Sequence, residues 1–309
     1  LTGYRQNFAK GSEIFQYYCG EKIGSAYDYF TIAFLFMSYV VMIAGAGATL
    51  SQHFGFPLAA GAILMMLLAG GTVIMGLGSI VDIIGKIGPV IVVISVTLGA
   101  VSIAKNPGGI AEGAALIDSG TVTLMKAGTN WFTSACSYVG FSMLWLAAFL
   151  AALGKKANSG KEAIMGTTLG AIGFFAGTAL LMLGLLANVE VVAGTQIPSL
   201  ILATNISPKL ATAFSAIILA GIYTTAVPLL WQVSARFSEE NTRKFTILTV
   251  ALAAAGCFIG LVLPFSKLVN IIYGINGYIG IILMLFIFVK DIRVFMSDRK
   301  VIRGNVDFD

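Results

Sequence analysis

The sequence predicts an all-α, polytopic transmembrane helical bundle, and three observations carry that expectation. Only 11% of the 309 residues are charged and 58% are hydrophobic, whereas a soluble globular domain is about 25% charged. The apolar residues gather in eight runs, each close to the roughly 20 residues that cross a hydrocarbon core as an α-helix. The basic residues also sort by side. If the runs cross alternately, Lys105, Lys126, Lys209 and Lys267 fall on one side, and every other Lys and Arg falls on the opposite one. Cytoplasmic loops collect positive charge, so both termini are placed in the cytoplasm. A miscounted span would have scrambled this asymmetry.

The elements follow in order, bounded by charge or by Gly/Pro punctuation. Residues 1–28 form a polar cytoplasmic lead-in, with a helix capped by Ser12 and running to Cys19. The spans are expected at 29–50, 57–77, 87–104, 131–153, 162–187, 210–235, 245–263 and 268–289. Residues 78–86 link the second and third spans, and 290–309 form a cytoplasmic tail. The longer connections, 105–130 and 188–209, have room for short surface helices. Lipid offers no partner to free backbone groups, so each span is helical. The alternating stretches of a β-barrel are absent. No stretch is large enough to fold as a separate soluble domain, so 1–309 reads as one transmembrane domain.

Several function classes fall away on composition. The net charge of +5 is scattered among loops and forms no basic face, which argues against nucleic acid as a partner. Cys19, Cys136 and Cys257 show neither a disulfide framework nor metal-ligand spacing. No acidic or basic residue, nor His53, lies in the middle of a span. A charge there costs about 2.5–3.5 kcal/mol on insertion scales and marks proton or voltage pathways. The apolar interior offers no His/Asp/Glu/Cys constellation for acid–base or metal chemistry, so an enzyme is not expected, and neither is a cofactor. Polar chemistry inside the membrane is left to hydroxyls, amides and backbone carbonyls.

Small residues mark expected helix seams, because membrane helices associate by close backbone approach. Gly166, Gly170, Gly173, Gly177 and Gly184 fall on one face of their span, and Ala251/Ala255 and Gly274/Gly277/Gly280 repeat the pattern. The stretch "FTSACSYVGFSMLWL", Phe132 to Leu146, is different, since its polar groups wrap around the helix. One reading is an unwound segment at Tyr138–Ser142, whose freed carbonyls and amides face a solute, as in the discontinuous helices of secondary transporters. The other is an intact helix whose hydroxyls bond back to the preceding turn. In "GIYTTAVPLLW", Pro228 cannot donate to the carbonyl of Thr224. That oxygen, with the Thr224 and Thr225 hydroxyls, makes partial coordination for Na⁺, unless a hydroxyl simply heals the kink. Asn270, Tyr273 and Asn276 form a third polar group, lining a vestibule or bonding across helices.

A break at Tyr138–Ser142 would open a five-span repeat over 131–289, leaving only three spans, within 29–104, for its inverted counterpart. Two helices are then expected ahead of Leu1. The stretches "YVVMIAGAGATLSQHFGFPLAAGAIL", "GLGSIVDIIGKIGPVIVVI", "SYVGFSMLW" and "IYTTAVPLL" resemble the YkvI family of bacterial membrane proteins, within the amino acid–polyamine–organocation superfamily. The resemblance covers nearly the whole chain. It implies a LeuT-like inverted repeat in which the visible spans resemble helices 3–10. It places Tyr138, Val139, Gly140, Phe141 and Ser142 at a broken sixth helix and Ser38, Met42 and Gly45 beside the same substrate site. It also implies a Na⁺ site at Thr224 and Thr225. Ser142 stands where many relatives carry Asn.

The expected function is therefore secondary active transport of a small organic solute, amino acid or amine-like. Transport would be cation-coupled, with Na⁺ as the coupling ion, and would run by alternating access in a bacterial inner membrane. The expected partners are that small-molecule substrate and membrane lipid. An ion or solute channel and a non-transporting scaffold are the alternatives.

Overall fold

The computed structural model describes residues 1–8, 12–75, 80–126, 128–155 and 157–304. Part of the expected 78–86 link and the end of the 290–309 tail lie outside the described residues. Among those residues there is no strand. The helices are α1 (Thr2–Gln6), α2 (Glu13–Cys19), α3 (Glu21–Phe54), α4 (Leu58–Met75), α5 (Ile80–Lys105), α6 (Gly109–Asp118), α7 (Trp131–Lys155), α8 (Gly160–Leu186), α9 (Val189–Val192), α10 (Pro198–Ile206), α11 (Pro208–Phe237), α12 (Arg243–Val262) and α13 (Phe265–Gly304). Eight of them, α3, α4, α5, α7, α8, α11, α12 and α13, are long and apolar enough to cross a membrane. The chain is thus an all-α polytopic bundle. The two long connections hold α6, α9 and α10, as their length had allowed.

Two helices overrun their expected spans. α3 begins at Glu21 rather than 29, and α13 continues to Gly304 rather than ending at 289. Helical propagation does not stop at the edge of the hydrocarbon, so polar turns prolong a span until a breaker intervenes. Here the breaker ahead of α3 is Gly20, held at φ 79. Ser12 takes the N-cap position of α2, but its side chain makes no capping hydrogen bond.

The chain forms two compact units whose boundaries fall within α3, α8 and α13 and in the connection between α6 and α7. The first comprises Leu1–Phe34, Lys126–Met165 and Ile271–Asp309. Its seam is a close approach of α7 and α13. A Cβ at Gly140 would run into the Gly277 carbonyl, one at Gly280 into the Gly140 backbone, and one at Gly277 into Ser137. Only glycine lets two helix backbones meet in this way.

The lead-in docks on the same unit. Phe15 is buried and stacks on Tyr27, with ring centroids 6.1 Å apart. The Tyr18 hydroxyl donates to Asp291 Oδ1 at 3.1 Å and accepts from the Thr2 hydroxyl at 2.8 Å. Burial, with Asp291 alongside, pushes the Tyr18 hydroxyl from its usual value near 10 up to about 12. Because the folded-state value is the raised one, this contact contributes fully below about pH 10 and is lost as pH climbs through about 12. A fluorophore on the lead-in should report its release over that interval. Tyr18→Phe should loosen the lead-in at neutral pH and erase the alkaline step.

The second unit comprises Leu35–Met125 and Gly166–Asn270. In it the Tyr39 ring of α3 lies against Gly256 of α12, and Gly99 of α5 meets the α8 backbone at Leu180 and Gly184. A core of Leu98, Leu200, Leu202, Ala203, Ala211 and Phe214 joins α5, α10 and α11. The glycine row of α8 is only partly a seam. Gly177 and Gly184 pack on α5, whereas Gly166, Gly170 and Gly173 meet nothing within 4 Å. Ala251 and Ala255 are exposed as well, and α12 instead buries Ala253, Gly256, Cys257 and Gly260. Spacing located small-residue faces, but it could not tell which of them a neighbour covers.

Candidate functional site

The expected break in α7 is absent. The helix is continuous from Trp131 to Lys155, so Tyr138–Ser142 is not unwound. Ser137, Gly140, Phe141 and Ser142 each have a use in an intact helix. Ser137 and Gly140 are buried at the α13 seam, and Ser142 Oγ donates to the Tyr138 carbonyl at 2.8 Å. Phe141 stacks nearly parallel on Tyr273, with centroids 4.6 Å apart, and Trp145 adds a tilted ring at 5.9 Å from Phe141. Tyr138 is exposed, and Val139 faces a cleft of about 420 Å³ between α7 and α13. The polarity that reads as an opened backbone is the chemistry of helix packing. Asn276 behaves similarly, donating from Nδ2 to the Ile272 carbonyl of its own helix while its buried Oδ1 has no partner.

α11 is likewise helical through Pro228. Thr224 and Thr225 both donate to the Gly221 carbonyl, at 3.0 and 2.8 Å. The hydroxyls therefore turn toward Gly221 rather than toward the carbonyl that Pro228 cannot reach. A donating hydroxyl keeps its acceptor lone pairs, so two oxygens on adjacent residues remain competent toward a hard cation. No group of three or more His, Cys, Asp or Glu side chains comes together among the described residues.

The second unit holds a smaller cleft, of about 250 Å³. α3 gives it Met42 and Gly45, Ile222 comes from α11, and Phe265 from the start of α13. Gln196 and Ser199, at the entrance to α10, supply its polar edge. Gly45 keeps the cleft open, since a Cβ there would lie 3.1 Å from the Phe265 ring and 3.5 Å from Ile222. Two of the three expected α3 residues are thus on its wall. Ser38, one turn before Met42, is fully buried outside it, with an unpartnered hydroxyl. Tyr39, Ser234 and Thr249 in the same unit also bury hydroxyls that have no partner.

The edge of this cleft is held by a residue that the sequence does not single out. Gln52 Oε1 accepts from the backbone N–H groups of Gln196, at 3.1 Å, and Ile197, at 3.0 Å. Its Nε2 donates to the Ile197 carbonyl at 2.9 Å. Gln196 Oε1 in turn accepts from Ser266 N–H at 3.2 Å. One amide thereby ties the α9–α10 connection to the end of α3, and a second ties it to α13.

Eight helices long and apolar enough to cross a membrane, with uncharged buried polar groups among the described residues, define the class: a polytopic α-helical membrane protein. Comparison with family models, with curated proteins and with solved structures finds no match.

Proposed function

We propose that this protein is a secondary active transporter of a small organic solute, amino acid or amine-like, that couples uptake to Na⁺ and works by alternating access. The observation that carries the reading is the cleft at Met42 and Gly45. It has an apolar wall from spanning helices and an uncharged polar edge from Gln196 and Ser199, and the connection along that edge is held by side-chain amides. A concave, largely apolar pocket with few polar groups is the form a small-molecule site takes. The YkvI-like stretches support the same reading and a LeuT-type repeat. The sorting of basic residues supports both termini inside, and the placement in a bacterial inner membrane rests on the YkvI-like stretches. In this reading Met42 and Gly45 contact the solute, Thr224 and Thr225 present hydroxyl oxygens to Na⁺, and Tyr138–Ser142 serves helix packing.

Reconstituted vesicles test it. A panel of amino acids and amines, offered with an inward Na⁺ gradient, should include one that accumulates with saturation. Gly45→Leu, which fills the cleft, should abolish that uptake. Replacing Thr224 and Thr225 together by Val should cut the Na⁺-driven component by about tenfold or more, the equivalent of 1.4 kcal/mol in coupling. The paired Ser replacement, which keeps both hydroxyls, should retain it. Flux that neither saturates nor concentrates solute would replace this reading with a channel.

A further inference from the structure

The cleft between α7 and α13 in the first unit has a composition of its own. Met143 of α7, and Met284, Ile287, Phe288 and Ile292 of α13, line it together with Val139, and a single charged residue, Asp291, stands among them. The five α13 residues recur at helical spacing from 284 to 292, about 12 Å along the axis. Above them, the glycine contact at Gly140, Gly277 and Gly280 brings the two backbones together. Below it the same helices flank the open cleft, which runs toward the cytoplasmic end of the expected topology. Asp291 lies within the last turn of the apolar part of α13, at Phe265–Val294, where a helix meets the headgroup layer.

The electrostatics select the headgroup. One Asp291 oxygen takes the Tyr18 hydroxyl, and no basic side chain pairs with the carboxylate among the described residues. The adjacent Lys290 is turned away: its ammonium sits 3.7 Å over the Tyr17 ring and donates to the Tyr17 carbonyl. The cleft therefore joins an apolar trough to one carboxylate whose second oxygen has no basic partner among the described residues. The matching ligand has an acyl chain and a cationic head with N–H donors.

We infer that this cleft is a binding site for a bilayer aminophospholipid of the ethanolamine class. An acyl chain lies against Met143, Met284, Ile287 and Phe288, and the ammonium is held by Asp291. The ammonium can donate charge-assisted hydrogen bonds to the carboxylate, which a choline head, lacking N–H groups, cannot make. An anionic glycerol head meets repulsion. The inference does not depend on the transport reading.

The test is lipid retention by the purified full chain in native mass spectrometry, with dioleoyl phosphatidylethanolamine, phosphatidylcholine and phosphatidylglycerol added at equal mole fraction. Ethanolamine lipid should be retained at least several-fold over the other two. Asp291→Asn, which still accepts from Tyr18, should remove that preference while leaving overall lipid retention in place. Met143→Trp, which fills the trough, should lower retention of ethanolamine lipid and serves should the first variant not fold. Free ethanolamine should not displace the lipid. Equal or better retention of the glycerol lipid, a preference that survives Asp291→Asn, or displacement by free ethanolamine would each overturn the assignment.

Discussion

Gly280→Ala should destabilise the protein by about 3 kcal/mol or more, at the upper end of overpacking costs. The added methyl has nowhere to go, because the atoms it meets are the carbonyl, carbonyl carbon and Cα of Gly140. Flexible side chains can swing aside, but the backbone of an intact α7 cannot. Relief requires that α7 and α13 separate, and that in turn exposes the Ser137–Gly277 and Phe141–Tyr273 contacts. Gly274→Ala, six residues earlier on the same helix, is the matched comparison, since a Cβ there would meet nothing within 4 Å. There the usual advantage of Ala over Gly in a helix, about 1 kcal/mol at most, should appear as a gain. Apparent unfolding temperatures of both variants in detergent decide the matter. If both shift the same way, the two helices do not meet backbone to backbone.

Gln52→Leu should release the α9–α10 connection at a local cost of about 2–3 kcal/mol. The side chain has nearly the same size, but its loss strands two N–H groups and one carbonyl, and part-buried groups without partners are expensive. Hydrogen exchange at Gln196 and Ile197 should rise together, and a protease should cut near 194–197 at concentrations that spare the wild type. Gln52→Glu discriminates hydrogen bonding from shape. It keeps an oxygen for both N–H donors, but it sets a carboxylate against the Ile197 carbonyl where the amide had donated. An intermediate effect is expected. If Leu and Glu behave like the wild type in exchange, the connection is held by packing alone.

How much of this was legible in the sequence depends on the range of the forces involved. The spans were legible, because hydropathy and loop charge act locally, and all eight are present. Their ends were less so: α3 and α13 extend through polar turns that hydropathy counts as outside. α7 was misjudged for a physical reason. A polar group is costly in lipid only if unsatisfied, and satisfaction depends on neighbours that local sequence does not name. Ser142 is satisfied by its own preceding turn, whereas Ser137 and Gly140 are placed by α13, over 130 residues later. Gln52 left no trace for the same reason, its partners lying 144 and 145 residues away. Met42 and Gly45 were named through the family resemblance and not from local spacing, and both lie on the wall of the cleft in the second unit. Ser38 shares their face of α3 but not the cleft, which only the packing of that helix could show.

The uncharged character of every mid-span position has an electrical corollary. A helix that carries no formal charge through the low-dielectric slab does no work against the membrane potential when it shifts, whereas one elementary charge would exchange about 2.3 kcal/mol per 100 mV. The eight spans thus contribute no mid-membrane gating charge. In a transport cycle of the kind proposed, movement of these eight spans would add no mid-membrane charge to the current carried by ions and solutes.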